Sequence, residues 1–170
     1  MWERFEEDDN VAHWLAGTPL ARAVGRGQEA TVKMLLDRED VDPNQTDTES
    51  GRTPLIMAAE MGREAVVKML LDREDVNPNQ PSIRTGRTPL MFAAGIGREA
   101  VVKILLERED VNPNQPSTKS GETPLTFAAG MGHEAVVKIL LDREDVNPNQ
   151  QDTYGRTPLL WQLRRGMKGW

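Results

Sequence analysis

The sequence predicts an all-α protein, a solenoid of stacked antiparallel helix pairs joined by extended finger loops. The first observation behind this fold class is a Thr-Pro-Leu tripeptide that recurs at intervals of 35, 35, 35 and 34 residues. The second is that each copy opens an apolar stretch with helical spacing. Such a regular period is typical of an array of small repeated units. The five copies begin at Thr18, Thr53, Thr88, Thr123 and Thr157.

The tripeptide carries the signals of a helix start. A threonine side chain accepts hydrogen bonds from the free N–H groups of a first turn, and proline at the first helical position loses nothing by lacking an N–H. In the second copy this predicts a short helix from Thr53 to Met61, which Gly62 ends in the left-handed conformation. Two adjacent alanines on its apolar face allow a neighbouring helix to approach closely.

A second helix is predicted from Arg63 to about Arg73. It is apolar most of the way round, and Glu64, Lys68 and Asp72 form its single charged edge. This pattern is typical of a helix packed between neighbours with one edge in water. We interpret the charges as a solvated surface. The same edge recurs as Glu29/Lys33/Asp37, Glu99/Lys103/Glu107 and Glu134/Lys138/Asp142.

The segment after the second helix, residues 74–82, is rich in Asn, Pro and Gln, which favour turns. It has to carry the chain away from the stack and back, which predicts an extended finger or a hairpin-like loop. The array ends where another second helix is expected. Either the last unit is a trimmed cap, or the chain is a piece of a longer protein, and we favour the second interpretation. The predicted units are a cap or degenerate repeat at 1–15, repeats at 16–50, 51–85, 86–120 and 121–154, and a partial C-terminal repeat or cap at 155–170.

Composition excludes several classes of function. The net charge of -6 and the pI of about 5.0 argue against nucleic-acid binding, which depends on clustered Lys and Arg. The chain contains no cysteine, so disulfides and thiolate metal sites are impossible. An acidic N-terminus unlike a signal peptide and the lack of a long apolar run predict an intracellular, cytoplasmic protein without membrane contact. We expect a monomer.

No residue pattern indicates catalysis. The two histidines, His13 and His133, have no cysteine, Gly-rich loop or second histidine near them. The acidic pairs Glu74/Asp75 and Glu109/Asp110 sit at the same place in every unit, which is typical of a scaffold. We therefore predict no catalytic residue, no metal and no cofactor.

Thr-Pro-Leu, paired alanines, a glycine between helices, Val-Val-Lys in the second helix and Asp-Val-Asn in the finger together resemble the ankyrin repeat family. The resemblance covers about residues 16–166. The motif Gly-Arg-Glu-Ala-Val-Val-Lys is most similar to ankyrin arrays of large filamentous fungal proteins. Membership would imply a solenoid whose inner helices and fingers line a concave surface that binds other proteins.

Three features depart from the ankyrin pattern. The histidine that usually follows Thr-Pro-Leu is replaced in every copy, for example by Ile56 and Met91. The glycine expected after the second helix is missing, so another residue must turn the chain there. The finger is longer, since Thr88 follows Val76 by 12 positions.

Comparison of the units separates scaffold from variable positions. Residues 62–82 and 97–117 differ only at two positions, whereas the end of the first helix and the finger tip vary. Met61, Ile96 and Met131 are expected to form an apolar ridge, although the fingers could also cover it. The neighbouring series Arg22, Met57, Phe92, Phe127 and Trp161 is expected to pack between first and second helices. The candidate partner-binding residues are Arg26, Glu60, Met61, Ile83, Arg84, Ile96, Lys119, Met131, Tyr154 and Arg165.

These observations predict a non-catalytic module that binds a protein partner through the concave face and the finger tips. The alternative is a structural spacer, or a fragment of a larger multidomain signalling protein, that makes no partner contact of its own.

Overall fold

The computed structural model describes residues 18–165, with side chains as far as Trp161. Within that range the chain forms nine α-helices and no β-strand, which confirms the predicted all-α fold class. The helices alternate between a first helix that starts at Thr-Pro-Leu, here called inner, and a second, called outer. In chain order they are α1 (Pro19–Arg26), α2 (Glu29–Leu36), α3 (Pro54–Met61), α4 (Glu64–Leu71), α5 (Pro89–Ile96), α6 (Glu99–Leu106), α7 (Pro124–Met131), α8 (Glu134–Leu141) and α9 (Pro158–Arg165).

The inner helices begin and end at the predicted residues. Thr53 has extended backbone, and its hydroxyl oxygen accepts a hydrogen bond from the Ile56 amide at 3.2 Å. Gly62 ends α3 with φ of 69° and ψ of 29°, the left-handed conformation that a side chain disfavours. Threonine and glycine hold the same two positions in α1, α5 and α7.

The outer helices are shorter than predicted. Helix α4 ends at Leu71, and Asp72 follows in right-handed backbone with φ of -68°. The predicted end at about Arg73 therefore lies two residues too late. The Arg73 side chain contacts the neighbouring pair instead. Its guanidinium donates a 2.6 Å hydrogen bond to the main-chain oxygen of Leu36, the last residue of α2, and also binds Asp75.

An arginine from the next pair thus caps the outer helix in place of the missing glycine. The last carbonyl groups of a helix lack partners inside the helix, and a positive charge beside them is favourable. The Arg143 guanidinium bonds the Leu106 oxygen in the same way at 2.9 Å, and Arg108 bonds the Leu71 oxygen. Outer helices α2, α4 and α6 therefore each receive a C-terminal cap from the next pair along the chain.

Asparagine side chains join successive loops in a second row of bonds. The Asn44 side-chain amide donates to the Asp75 main-chain oxygen at 2.6 Å, and its side-chain oxygen accepts from the Asn77 amide at 2.8 Å. Asn79 and Asn114 make the same pair of bonds to the loops that follow them. Because one side chain satisfies both a donor and an acceptor of the next loop, the loops stack in register.

The finger folds back on itself as a hairpin-like loop. The Ser82 amide donates to the Arg87 oxygen at 2.9 Å, and Gly86 closes the tip through its amide to the Ser82 oxygen at 2.7 Å. This confirms the hairpin-like alternative, and no strand accompanies it in the described residues.

The core runs through the stack as one continuous layer between inner and outer helices. Each of the three middle inner helices, α3, α5 and α7, packs on its outer partner and on the inner helices before and after it. Ala58, Ala59 and Leu70 are fully buried, and only 1% of the Leu55 surface is exposed. Small residues at the helix contact keep adjacent inner helices close, as expected from the sequence.

Replacing Ala93 by leucine should lower the free energy of unfolding by about 1 to 3 kcal/mol. Ala93 is fully buried on α5, so the three added carbons must displace packed neighbours. Urea unfolding of both proteins measures the difference. An unchanged curve would contradict this packing.

Asn79→Ala should lower the free energy of unfolding by about 1 to 2 kcal/mol, because two hydrogen bonds at a partly exposed site are lost. Asn149 holds the same position in the last described loop, and its side chain bonds no other described residue. Asn149→Ala is therefore the matched control and should change stability by less than about 0.5 kcal/mol. Equal decreases in the free energy of unfolding of the two variants would show that the bonds between loops do not contribute to stability.

Candidate partner-binding face

The inner helices present a strip of large apolar side chains on one side. In α3, Met57 and Met61 are four residues apart, a spacing that places both on the same side of a helix. Because the period is 35 residues, the equivalent positions stack from one helix to the next. The strip consists of Met57, Met61, Phe92, Ile96, Phe127 and Met131. We call this side of the stack the inner face.

The outermost row of the strip is open to solvent. Met61 is 37% exposed, Ile96 40% and Met131 46%, although the other apolar residues of these helices are largely buried. The ridge expected from the sequence is therefore present and accessible. Large exposed apolar side chains in a row are uncommon on a protein surface that contacts only water.

The second row of the strip refines one expectation, that its residues pack between inner and outer helices. Phe92 is buried, with 6% of its surface exposed, and Phe127 is half-buried, and each ring lies under a loop arginine. The Arg52 guanidinium carbon is 5.1 Å from the Phe92 ring centre, and that of Arg87 is 4.0 Å from the Phe127 ring centre. Such stacking is favourable for a cation over an aromatic face. For Met57 and Trp161, which are partly buried against the core, the expectation is partly correct.

Glycine at position 95 makes room for one of these rings. A β-carbon at Gly95 would lie 2.0 Å from Cε1 of Phe127, well inside van der Waals contact. A side chain at position 95 is therefore excluded unless this ring moves. The counterpart of Gly95 in α3 is Glu60, and the next inner helix carries Phe92 in the position equivalent to Phe127.

Glu60 is engaged within the protein. Its carboxylate binds the Arg52 guanidinium at 2.7 Å, and both side chains are about one quarter to one third exposed, at 25% and 30%. Arg52 lies on the returning arm of the finger, so this ion pair brings the loop into contact with the end of α3. A partner at Glu60 would meet a carboxylate whose charge is already compensated.

The fingertips, residues 47–50, 82–85, 117–120 and 152–154, form a continuous edge. The Ile83 amide donates to the Gly51 oxygen at 2.9 Å, and the Thr118 amide donates to the Gly86 oxygen at 3.1 Å. The Lys119 ammonium donates to the Arg84 main-chain oxygen. These bonds hold neighbouring tips side by side.

Four candidate side chains at the tips are exposed to solvent. Ile83 is 69% exposed and Tyr154 is 76% exposed, and Arg84 and Lys119 are also exposed. Tyr154 carries the Arg156 guanidinium over its ring, 4.6 Å from the centre. All four residues proposed at the tips are thus accessible.

The two remaining site residues lie at the ends of the ridge. Arg26 is exposed at the end of α1, in the position that Met61 holds in α3. Arg165 ends α9, but its side chain lies outside the described residues. The ridge therefore begins at a cation, whereas its far end is not described.

His133 has a structural role. Its Nε2 donates a 3.0 Å hydrogen bond to the main-chain oxygen of Gly95, since a carbonyl can only accept. Arg63, in the equivalent position, donates to the Gly25 oxygen at 2.9 Å. Both side chains cap an inner helix of the preceding pair. His13 lies outside the described residues, within which no cluster of His, Cys, Asp or Glu could hold a metal ion.

Asp152 organises the last fingertip. Its buried carboxylate accepts hydrogen bonds from the Tyr154 amide at 2.8 Å and from the Arg156 amide at 3.0 Å, and it binds the Arg156 guanidinium at 2.6 Å. Burial works to raise the pKa of this carboxyl. The bonds to its charged form outweigh burial and hold the pKa below the ordinary value for aspartate.

Repeated helix pairs, joined by long loops and bonded to one another at every step, define this protein as a helical repeat solenoid. The family model for ankyrin repeats matches it in three overlapping segments, at residues 5–82, 74–152 and 110–168. The chain belongs to the ankyrin repeat family, whose arrays generally mediate protein–protein interaction and are typically non-catalytic. No curated protein matched the chain in a sequence search.

The described helices were also compared with the requirements of a membrane span. Each has eight residues, and none within 18–165 has the length and apolar character needed to cross a bilayer.

Asp152→Asn should destabilise the protein by about 1.5 to 3 kcal/mol at pH 6.5, because bonds to a charged group are replaced by weaker ones. A lowered folded-state pKa contributes stability that is present above the unfolded pKa of about 3.9 and lost as pH falls through the folded value. The difference in free energy of unfolding between wild type and variant should therefore shrink below about pH 4. Urea unfolding at pH 6.5 and pH 3 measures this difference. A difference independent of pH would contradict a lowered pKa at Asp152.

Proposed function

We propose that this chain is a non-catalytic interaction module that binds a protein partner through its inner face and fingertips. The observation that carries the proposal is the exposed row of Met61, Ile96 and Met131 on helices whose remaining apolar residues are largely buried. Covering each of these side chains with a partner removes apolar surface from water, which favours association. Arg26, Glu60 and Arg165 flank this row, and Ile83, Arg84, Lys119 and Tyr154 supply the tips.

The opposite side of the stack supports the choice of face. The outer helices carry their charged edge into solvent, and residues 64–75 and 99–110 are almost identical in sequence. A surface repeated in this way offers a partner the same contacts at several positions. The inner face differs at each step, so it can specify one binding register.

The remaining properties of the proposal follow the family and the composition. We expect an intracellular, cytoplasmic protein that acts as a monomer and uses no cofactor, nucleic acid or membrane. The resemblance to arrays of large filamentous fungal proteins stays a prediction, and a place within a larger signalling protein belongs to the second candidate.

A second candidate is a structural spacer that binds no partner. The rows of Arg and Asn bonds between successive pairs favour it, because they tie the described helices into one continuous stack. Such a stack sets a distance between whatever lies on either side of it.

The two candidates differ in a binding experiment. Met61→Glu/Ile96→Glu/Met131→Glu places charges along the exposed ridge and should abolish retention of partners in a pull-down, because burying an uncompensated charge is costly. Met34 is 63% exposed on the outer helix α2, so Met34→Glu is the matched control and should retain them.

Circular dichroism melts should show that both variants stay folded, since all of these positions are exposed. Retention of the same partners by the triple variant would overturn the inner-face proposal and favour the spacer.

A further inference from the structure

We infer that the partner segment is acidic as well as apolar, with carboxylates that meet a row of uncompensated cations beside the ridge. This inference rests on the proposed function and adds the chemistry of the partner to it. It is derived from how the charges of this chain are distributed and paired.

The acidity of the chain lies on its outer side. Residues 29–40, 64–75, 99–110 and 134–145, which form the outer helices and their turns, each contain four carboxylates and two cations. The remainder of residues 18–161 contains nine Arg and Lys against six Asp and Glu. This remainder, which includes the inner helices and the loops, therefore has a net positive charge, although the first fingertip carries Asp47 and Glu49 and the net charge of the whole chain is -6.

Several carboxylates on this side are already neutralised by arginine. Glu60 binds Arg52 at 2.7 Å, and Asp152 binds Arg156 at 2.6 Å. Glu122 lies 3.6 Å from an arginine and accepts a hydrogen bond from a serine hydroxyl. These acids have little capacity left to attract a basic partner.

Three cations on the same side keep their charge uncompensated. Among residues 18–161, no ion pair includes Arg26, Arg84 or Lys119. All three are exposed. Lys119 donates to the main-chain oxygen of Arg84, which holds the Lys119 ammonium at the neighbouring tip without cancelling its charge.

The cations and the ridge are parts of one continuous surface. The finger that ends in the Arg84 tip returns through Arg87, whose guanidinium lies on the Phe127 ring. That ring lies one helical turn before Met131. A bound segment lying along the inner helices therefore passes from apolar ridge to cationic tip within one unit.

Charge complementarity selects the occupant. An acidic segment gains attraction to Arg26, Arg84 and Lys119 and is steered toward this face, whereas the acidic outer helices repel it. A basic segment would be drawn to the outer helices instead. A segment with Leu, Ile or Phe beside Asp and Glu fits both the ridge and the tips.

The test uses random linear 12-residue peptides displayed on phage and selected on the wild-type chain. Peptides that use the inner face are those whose binding is lost in Met61→Ser/Ile96→Ser, which removes the ridge without adding charge. We expect these peptides to be enriched in Asp and Glu together with large apolar residues.

Synthetic copies of these peptides are then titrated by fluorescence anisotropy. Arg84→Glu/Lys119→Glu should weaken their binding about tenfold or more and remove most of its salt dependence. Lys68→Glu/Lys103→Glu makes the same change in charge on the outer helices, where both lysines are exposed, and should leave affinity within about twofold.

The outcomes separate the inference from the proposal on which it rests. Ridge-dependent peptides that lack acidic residues and tolerate Arg84→Glu/Lys119→Glu would overturn the inference and leave the proposed function intact. Recovery of no ridge-dependent peptide would count against both. Equal weakening by the tip and outer charge reversals would show a general effect of net charge and would also overturn the inference.

Discussion

The structure depends on hydrogen bonds that run from a side chain of one helix pair to the main chain of the pair beside it. A pair of eight-residue helices is too small to bury a core alone, and its helix ends leave unpaired carbonyl groups. Arg73 satisfies the end of α2, and Asn44 bonds both a donor and an acceptor of the following loop. Each pair is therefore completed by its neighbour, and the stack is the stable unit.

This dependence explains which residues repeat and which vary. A residue that bonds to the neighbouring unit has to be present at every step, so the outer helix and the base of the loop recur almost unchanged. The ridge residues at the ends of the inner helices do not carry those bonds, and at the fingertips the Lys119 side chain carries one whereas the Arg84 side chain does not. Met61, Ile96 and Arg84 are consequently free to differ without loss of the stack, which is the condition for a surface that recognises a particular partner.

The same surface shows how far sequence reasoning reached at the candidate site. The place of the ridge could be predicted because its residues vary between units at one slot of the inner helix, but the sequence left open whether the fingers cover it. The position of the aromatic rings could not. Phe127 was expected in the core on its hydrophobicity alone, but the ring fills the space that Gly95 leaves on the preceding inner helix and is covered by Arg87. Arg87 and Phe127 are separated by two loops in the sequence, so no local pattern predicts that they come into contact.

Local chemistry in the sequence was enough to determine the all-α fold class, the helix starts at Thr53 and its equivalents, and the left-handed stops at Gly62 and its equivalents. These features are local because threonine, proline and glycine act on the backbone within one turn. The tertiary structure decided where the outer helices end, how a chain without a terminal glycine turns, and which charges remain uncompensated. The turn of the chain depends on a partner in the neighbouring pair, as Arg73 does on Leu36, so it is settled only when the pairs stack. The compensation of charge depends on how a finger folds against its own helix, as Arg52 does on Glu60.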